Sequence, residues 1–191
     1  MPCPDLASSC PDCLGLCCVA TSFDRGPAFA FSKASGEACQ HLTAAHRCAI
    51  HAAREHLGMS GCLGYECHGA GQRASALALD DDARQRTFLA LRELHELLWL
   101  LTEAARLCPA SHQELRAELA AQVQALADVP ARRPALEAAL RQREPGARAL
   151  LRQVGDALGG RGRWETDRGA ALVPPARLVR RSAAARSPRT R

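Results

Sequence analysis

Nine of the ten cysteines lie within the first 67 residues, and this clustering constrains the chain more than any other feature. Cys10-x-x-Cys13-x-x-x-Cys17-Cys18 sets four thiols in nine residues, and Cys39, Cys48, Cys62 and Cys67 follow. Cys3 stands outside the pattern as a loose terminal residue, and Cys108 sits at a helix end as a packing residue. A short, loop-rich segment of this kind rarely holds together on hydrophobic burial alone and needs a staple. The chain opens Met1-Pro2-Cys3-Pro4-Asp5, with no basic n-region and no apolar h-region. The expectation is a cytoplasmic, reduced protein, in which such thiol density points to metal ligation rather than to disulfides. The most apolar stretch, residues 97–101, is far too short to span a bilayer, so no membrane association is expected.

A C-x-x-C turn brings two sulfurs close enough to share one ion, at metal–sulfur bonds of about 2.3 Å for zinc. Eight thiols suit two four-sulfur sites, or one binuclear cluster with bridging sulfurs. Soft thiolates select zinc, iron–sulfur clusters or copper(I). Neighbouring side chains of an extended segment point to opposite sides, so Cys17 and Cys18 are expected to serve two different ions, or one to ligate while the other packs. Two ions close together are therefore expected. His51, close behind Cys48, and His68, beside Cys67, are candidates for a mixed ligand or for a partner that orients one. His41, His46, His51 and His56 recur every five residues and would not line one face of a helix. Gly64, Gly69 and Gly71 fit no phosphate-loop pattern and read as turn residues around a metal. No catalytic constellation stands out.

Charge is distributed unevenly. Residues 1–67 carry a balance of −2, residues 68–158 are neutral, and residues 159–191 carry nine arginines against Glu165 and Asp167. The positive excess lies in the tail, so nucleic acid is not the expected partner of the body, and a protein partner is favoured. Lys33 is the only lysine against 24 arginines, a ratio that reads as base-composition bias.

The expected fold is mainly α: an irregular, metal-stapled cysteine module over 1–72, a short antiparallel helical bundle over 80–158, and a basic disordered tail over 159–191. In the module, Ala28-Phe29-Ala30-Phe31 reads as a short strand, and Leu42 to His56 as containing a helix. In the bundle, Asp80, Asp81 and Asp82 cap a helix carrying Phe88, Leu91, Leu94, Leu97, Leu98 and Leu101, ended by Pro109. Ser111-x-x-Glu114 is a capping-box pattern for a second helix with Leu115, Leu119, Val123 and Leu126. Pro134 opens a third, Pro145-Gly146 breaks it, and a fourth runs through Leu150, Leu151, Val154 and Leu158.

Cys10-Pro-Asp-Cys13-Leu-Gly-Leu-Cys17-Cys18 resembles the signature of the CxxCxxxCC (YkgJ-like) cysteine-cluster family, which chelates zinc or iron. Cys39, Cys48-Ala-Ile-His51 and Cys62-Leu-Gly-Tyr-Glu-Cys67 take the places of that family's later cysteines, with His51 where the family has Tyr and no Arg-Pro before the last pair. Cys67-His-Gly-Ala-Gly-Gln72 and Leu94-His-Glu-Leu-Leu-Trp99 are similar to the cysteine-rich head of actinobacterial pentapeptide-repeat proteins, over about residues 10–125. The repeat run that follows in such proteins is not seen here. The resemblance implies a metal-binding module with a structural or partner-binding role. The surplus of ligands leaves an iron- or iron–sulfur-dependent enzyme or redox protein as the alternative. A zinc module held on nucleic acid by the arginine tail is a third reading, disfavoured by the charge distribution.

Overall fold

Asp80 starts the longest element, because its carboxylate accepts the Ala83 amide at 2.7 Å and Asp81 and Asp82 sit in the positive first turn. The computed structural model describes residues 4–159. Among them are five α-helices: α1 Leu16–Ala20, α2 Ala70–Ser75, α3 Asp81–Leu107, α4 Gln113–Ala127 and α5 Arg133–Ala157. Single 3-10 turns occur at Cys10–Asp12, His51–Ala53 and Ser60–Cys62. No strand forms among the described residues. The structure is mainly helical, as the leucine- and alanine-rich composition implies. No helix is long and apolar enough to cross a membrane among the described residues. The basic segment expected beyond Gly159, and Cys3, lie outside the described residues.

Helix α3 is the hub. Phe88, Leu91, Leu94, Leu98 and Leu101 are fully buried, and Leu97 nearly so. The stripe is wide because α3 has partners on more than one side: it packs against α4 and α5, and also against α1 and α2. Ala70 and Ala74 of α2 are fully buried, and their small side chains let this helix approach the core closely. Gly69 precedes α2 with φ of 75°, and a Cβ there would lie 2.3 Å from the Asp5 carbonyl oxygen. Only glycine fits that junction.

Four expectations are corrected. Residues 133–157 are one helix rather than two, and Pro145 lies inside it. Leu136, Leu140, Ala147, Leu150 and Val154 keep a common buried face across the proline, and that burial outweighs the lost hydrogen bond. The capping box at Ser111 does not form. His112 is the residue before α4 and makes no capping bond, and the Ser111 hydroxyl meets His112 Nδ1 instead. The segment from Leu42 to His56 holds only the 3-10 turn, because Thr43 and Ala49 amides bond back to Arg47 and His41 carbonyls and an isolated bridge joins Leu42 to Cys48. Local helix propensity loses there to tertiary ties. Residues 28–31 form no strand: Phe29 makes only an isolated bridge to Gly26, inside a second isolated bridge from Phe23 to Lys33.

Candidate metal centre

Within residues 4–67 only Leu16, Ala20, Lys33, Cys39 and Met59 are buried. This half of the chain has almost no apolar core of its own. Its irregular backbone is tied by polar groups. Arg47 donates to the Pro11 and Cys13 carbonyls at 2.6 and 3.0 Å, clamping the first C-x-x-C loop. Arg54 donates to the Cys62 and His51 carbonyls at 3.0 and 2.8 Å. The sole lysine is buried, and its ammonium donates to the Val19, Ala34 and Glu37 carbonyls at 2.7–3.0 Å.

Backbone ties set the cysteines in two groups of loops. The 3-10 turn at Cys10–Asp12, closed by Cys13 N–H to the Cys10 carbonyl at 3.2 Å, brings Cys10 and Cys13 together. Burial and the sulfurs of Cys17, Cys13 and Cys67 push the Cys10 thiol up. A Cβ on Gly71 would lie 2.8 Å from Cys13 Sγ and 3.5 Å from Cys67 Sγ, so those two sulfurs lie over one hydrogen-only patch of α2. Cys67 also meets the Ser8 hydroxyl at 3.0 Å. In the second group, Cys39 N–H bonds the Cys18 carbonyl at 2.8 Å, and the Leu42–Cys48 bridge sets Cys48 in the next loop. Burial and the sulfurs of Cys17, Cys39 and Cys48 push the Cys62 thiol up. Cys17 is thus among the thiols that raise both Cys10 and Cys62.

Cys17 and Cys18 sit on α1 rather than on extended backbone, so their side chains diverge by about 100° and not 180°. The Cys17 thiol is hydrogen-bonded to Cys18, which with burial pushes it strongly up. The expectation that the two must point apart is thereby corrected. Cys10 is exposed, Cys39 is buried, and Cys13, Cys17, Cys18, Cys48, Cys62 and Cys67 are half-buried; all eight are free thiols. Among the described residues, no three His, Cys, Asp or Glu side chains are gathered in a set that could hold an ion.

The two histidines differ. His51 is exposed at the start of its turn. His68 has φ of 49°, and its ring stacks on the part-exposed Trp99 at 5.1 Å. Its carbonyl accepts from Nδ1 of His95 at 2.6 Å, while Arg73 Nη1 donates to Nε2 of His95 at 2.9 Å. An arginine can only donate, so this arrangement requires neutral His95. Burial, with the nearby guanidinium, pushes His95 down to about 4. Sequence reasoning passed over His95, although it falls on the buried stripe of α3, four residues after Leu91. It also missed Lys33 and Tyr65, for which no spacing signal existed.

The residues suit a thiolate-bound metal in three respects. The segment carries eight soft donors, all of them free thiols. Gly71 leaves room where a side chain would strike two sulfurs. The buried Lys33 ammonium is bonded to carbonyls alone among the described residues, with no acidic side chain on it. Buried positive charge is stabilised by a counter-charge, which metal-bound thiolates would provide. The fold and site thus define a helical protein with a cysteine-rich head. Over 124 residues, 59% of this chain, the sequence is 38% identical to an uncharacterized protein, YybG, of Bacillus subtilis (strain 168). That match covers 44% of the relative, so the chain spans less than half of its length. No family model and no solved structure matches.

Proposed function

We propose that the cysteine-rich head is a zinc- or iron-binding module of the CxxCxxxCC kind, with a structural or partner-binding role. The observation that carries this reading is the presence of eight free thiols in a segment with almost no apolar core. In this reading Cys10, Cys13 and Cys67 serve one ion. Cys39, Cys48 and Cys62 serve a second, and Cys17 and Cys18 complete both sets. A bound metal would supply cross-links between loops that hydrophobic burial does not hold. Cys13, Cys17 and Cys67 pack directly against the helical core, so a metal-ordered head would stiffen the surface it presents on α3. His51, being exposed, is the weaker candidate for a mixed ligand, and His68 is engaged with Trp99 through its ring.

Elemental analysis of protein purified without added metal, with its visible spectrum, tests the proposal. The expected result is about two equivalents of zinc in colourless protein, with loss of ordered structure in the head when a chelator is added. Sulfur-to-iron charge-transfer absorption would favour the iron or iron–sulfur reading. Metal-free protein with an undiminished melting transition would refute the module reading.

A further inference from the structure

Two sulfurs share one patch of helix α2. Cys13 Sγ and Cys67 Sγ both lie within 3.5 Å of the point where a Gly71 Cβ would stand. The backbone holds them there. On either side of Cys13 the chain is pinned to α2: the Ser9 amide donates to Gln72 Oε1 at 3.0 Å and the Leu14 amide to Ser75 Oγ at 2.9 Å. Cys67 stands just before the same helix, and its carbonyl accepts the Ala70 amide at 3.0 Å. Both side chains pack against the helical core, and both are free thiols. Among the described residues no third His, Cys, Asp or Glu joins them in a set for an ion. Two thiols are enough for a disulfide, in which the sulfurs close to about 2.05 Å. The two differ in access. Cys13 lines an open groove of about 310 Å³ with Pro11, Asp12 and Arg47. Cys67 Sγ is faced by the Ser8 hydroxyl at 3.0 Å. A small reagent therefore reaches Cys13 first.

We propose that Cys13 and Cys67 are a redox pair, which a low-molecular-weight disulfide oxidises to a cross-link between the first C-x-x-C loop and the segment leading into α2. The Cys13 thiolate attacks one sulfur of the reagent, RSSR. The Cys13–S–SR bond forms, the reagent's S–S bond breaks, and the first RS⁻ leaves and takes the proton that Cys13 gave up. The Cys67 thiolate then attacks Cys13 Sγ, and a second RS⁻ leaves and takes the Cys67 proton. Two protein thiols are oxidised, and one reagent disulfide is reduced to two thiols. The cross-link closes a loop from Cys13 to Cys67 that spans most of the cysteine-rich segment. It removes freedom from the unfolded chain and so strengthens a head with little apolar core. The pair needs no bound metal, and the inference does not rest on the metal-binding reading.

The test uses the full chain in a chelating buffer, equilibrated with oxidised and reduced glutathione at graded ratios, quenched with acid and mapped by mass spectrometry. The expected product is one disulfide joining Cys13 to Cys67, with a raised midpoint of thermal unfolding. In Cys67→Ser, Cys13 should instead keep one glutathione, because the second attacking thiol is gone. Gly71→Ala should lower the equilibrium constant for the cross-link by about fivefold or more, since its methyl group crowds both sulfurs. A Cys10–Cys13 link, a mixture of pairings among the eight thiols, or free thiols at the most oxidising ratio would overturn the inference. An unchanged constant in Gly71→Ala would overturn it too. The mapping is made on the native sequence, so it decides the matter even where a variant fails to fold.

Discussion

On the metal-binding reading, Gly71→Ala should leave the metal-free protein nearly as stable as before and weaken its hold on the metal. Gly71 lies inside α2 with ordinary helical backbone, so alanine introduces no backbone strain. By helix propensity and lost chain freedom it should stabilise by about 0.5–1 kcal/mol. The new Cβ, however, would sit 2.8 Å from Cys13 Sγ, 3.7 Å from Cys13 Cβ and 3.5 Å from Cys67 Sγ. Ordinary non-bonded contact is about 3.5–4.0 Å, so the Cys13 sulfur must retreat by roughly 1 Å. In the metal-free chain Cys13 can turn to another rotamer, at a cost within about 1 kcal/mol. With an ion bound, that freedom is gone. Cys13 is held through the C-x-x-C turn to Cys10, and Arg47 clamps its carbonyl at 3.0 Å. Overpacking of this kind costs about 1–3 kcal/mol, equivalent to a roughly 5–150-fold loss of affinity. Competition against a chelating dye measures that loss, and thermal melts in excess chelator measure the metal-free stability. The reasoning is refuted if the variant binds zinc as tightly as its parent, or if it loses stability equally in both states.

Stability should also fall as pH drops below neutral because of His95. Its folded value of about 4 lies below the unfolded 6.5, so between those limits the unfolded chain binds the extra proton and stability declines by about 3 kcal/mol. Denaturant titrations of metal-free protein at pH 7 and pH 4.5 should show this decline, and His95→Gln should flatten it; an equal slope in the variant would dismiss His95 as the cause. Pro145→Ala should raise stability by about 1–3 kcal/mol, since it restores an amide donor within a continuous α5. No gain in melting temperature would mean that the helix breaks at that position after all.

The helical half was legible because its signals are local and redundant. Asp80 and the Phe88-to-Leu101 stripe each specify the same helix, and the structure uses both. Pro145-Gly146 misled because a local breaker was weighed without knowing that Leu136, Leu140, Ala147, Leu150 and Val154 would all be covered. Ser111 misled in the same way, since its hydroxyl found His112 rather than a backbone amide. In the cysteine-rich half the ligand types could be read, but their grouping could not. Nothing in the local sequence distinguishes an extended Cys17-Cys18 pair from a helical one, and their helical placement changes how the two side chains diverge.

What the sequence determined alone is chemistry and period: eight clustered thiols, and an apolar repeat near 3.6 residues that makes α3 an amphipathic helix. These are properties of neighbours along the chain, where covalent spacing fixes the distances. Only the tertiary structure decided that the Lys33 ammonium is buried on three carbonyls, that Gly71 lies beneath Cys13 and Cys67, and that Tyr65 turns its hydroxyl inward. Those contacts join irregular loops to helices. Their geometry is set by the closing of turns and by which buried polar group finds a partner, neither of which leaves a period in the sequence.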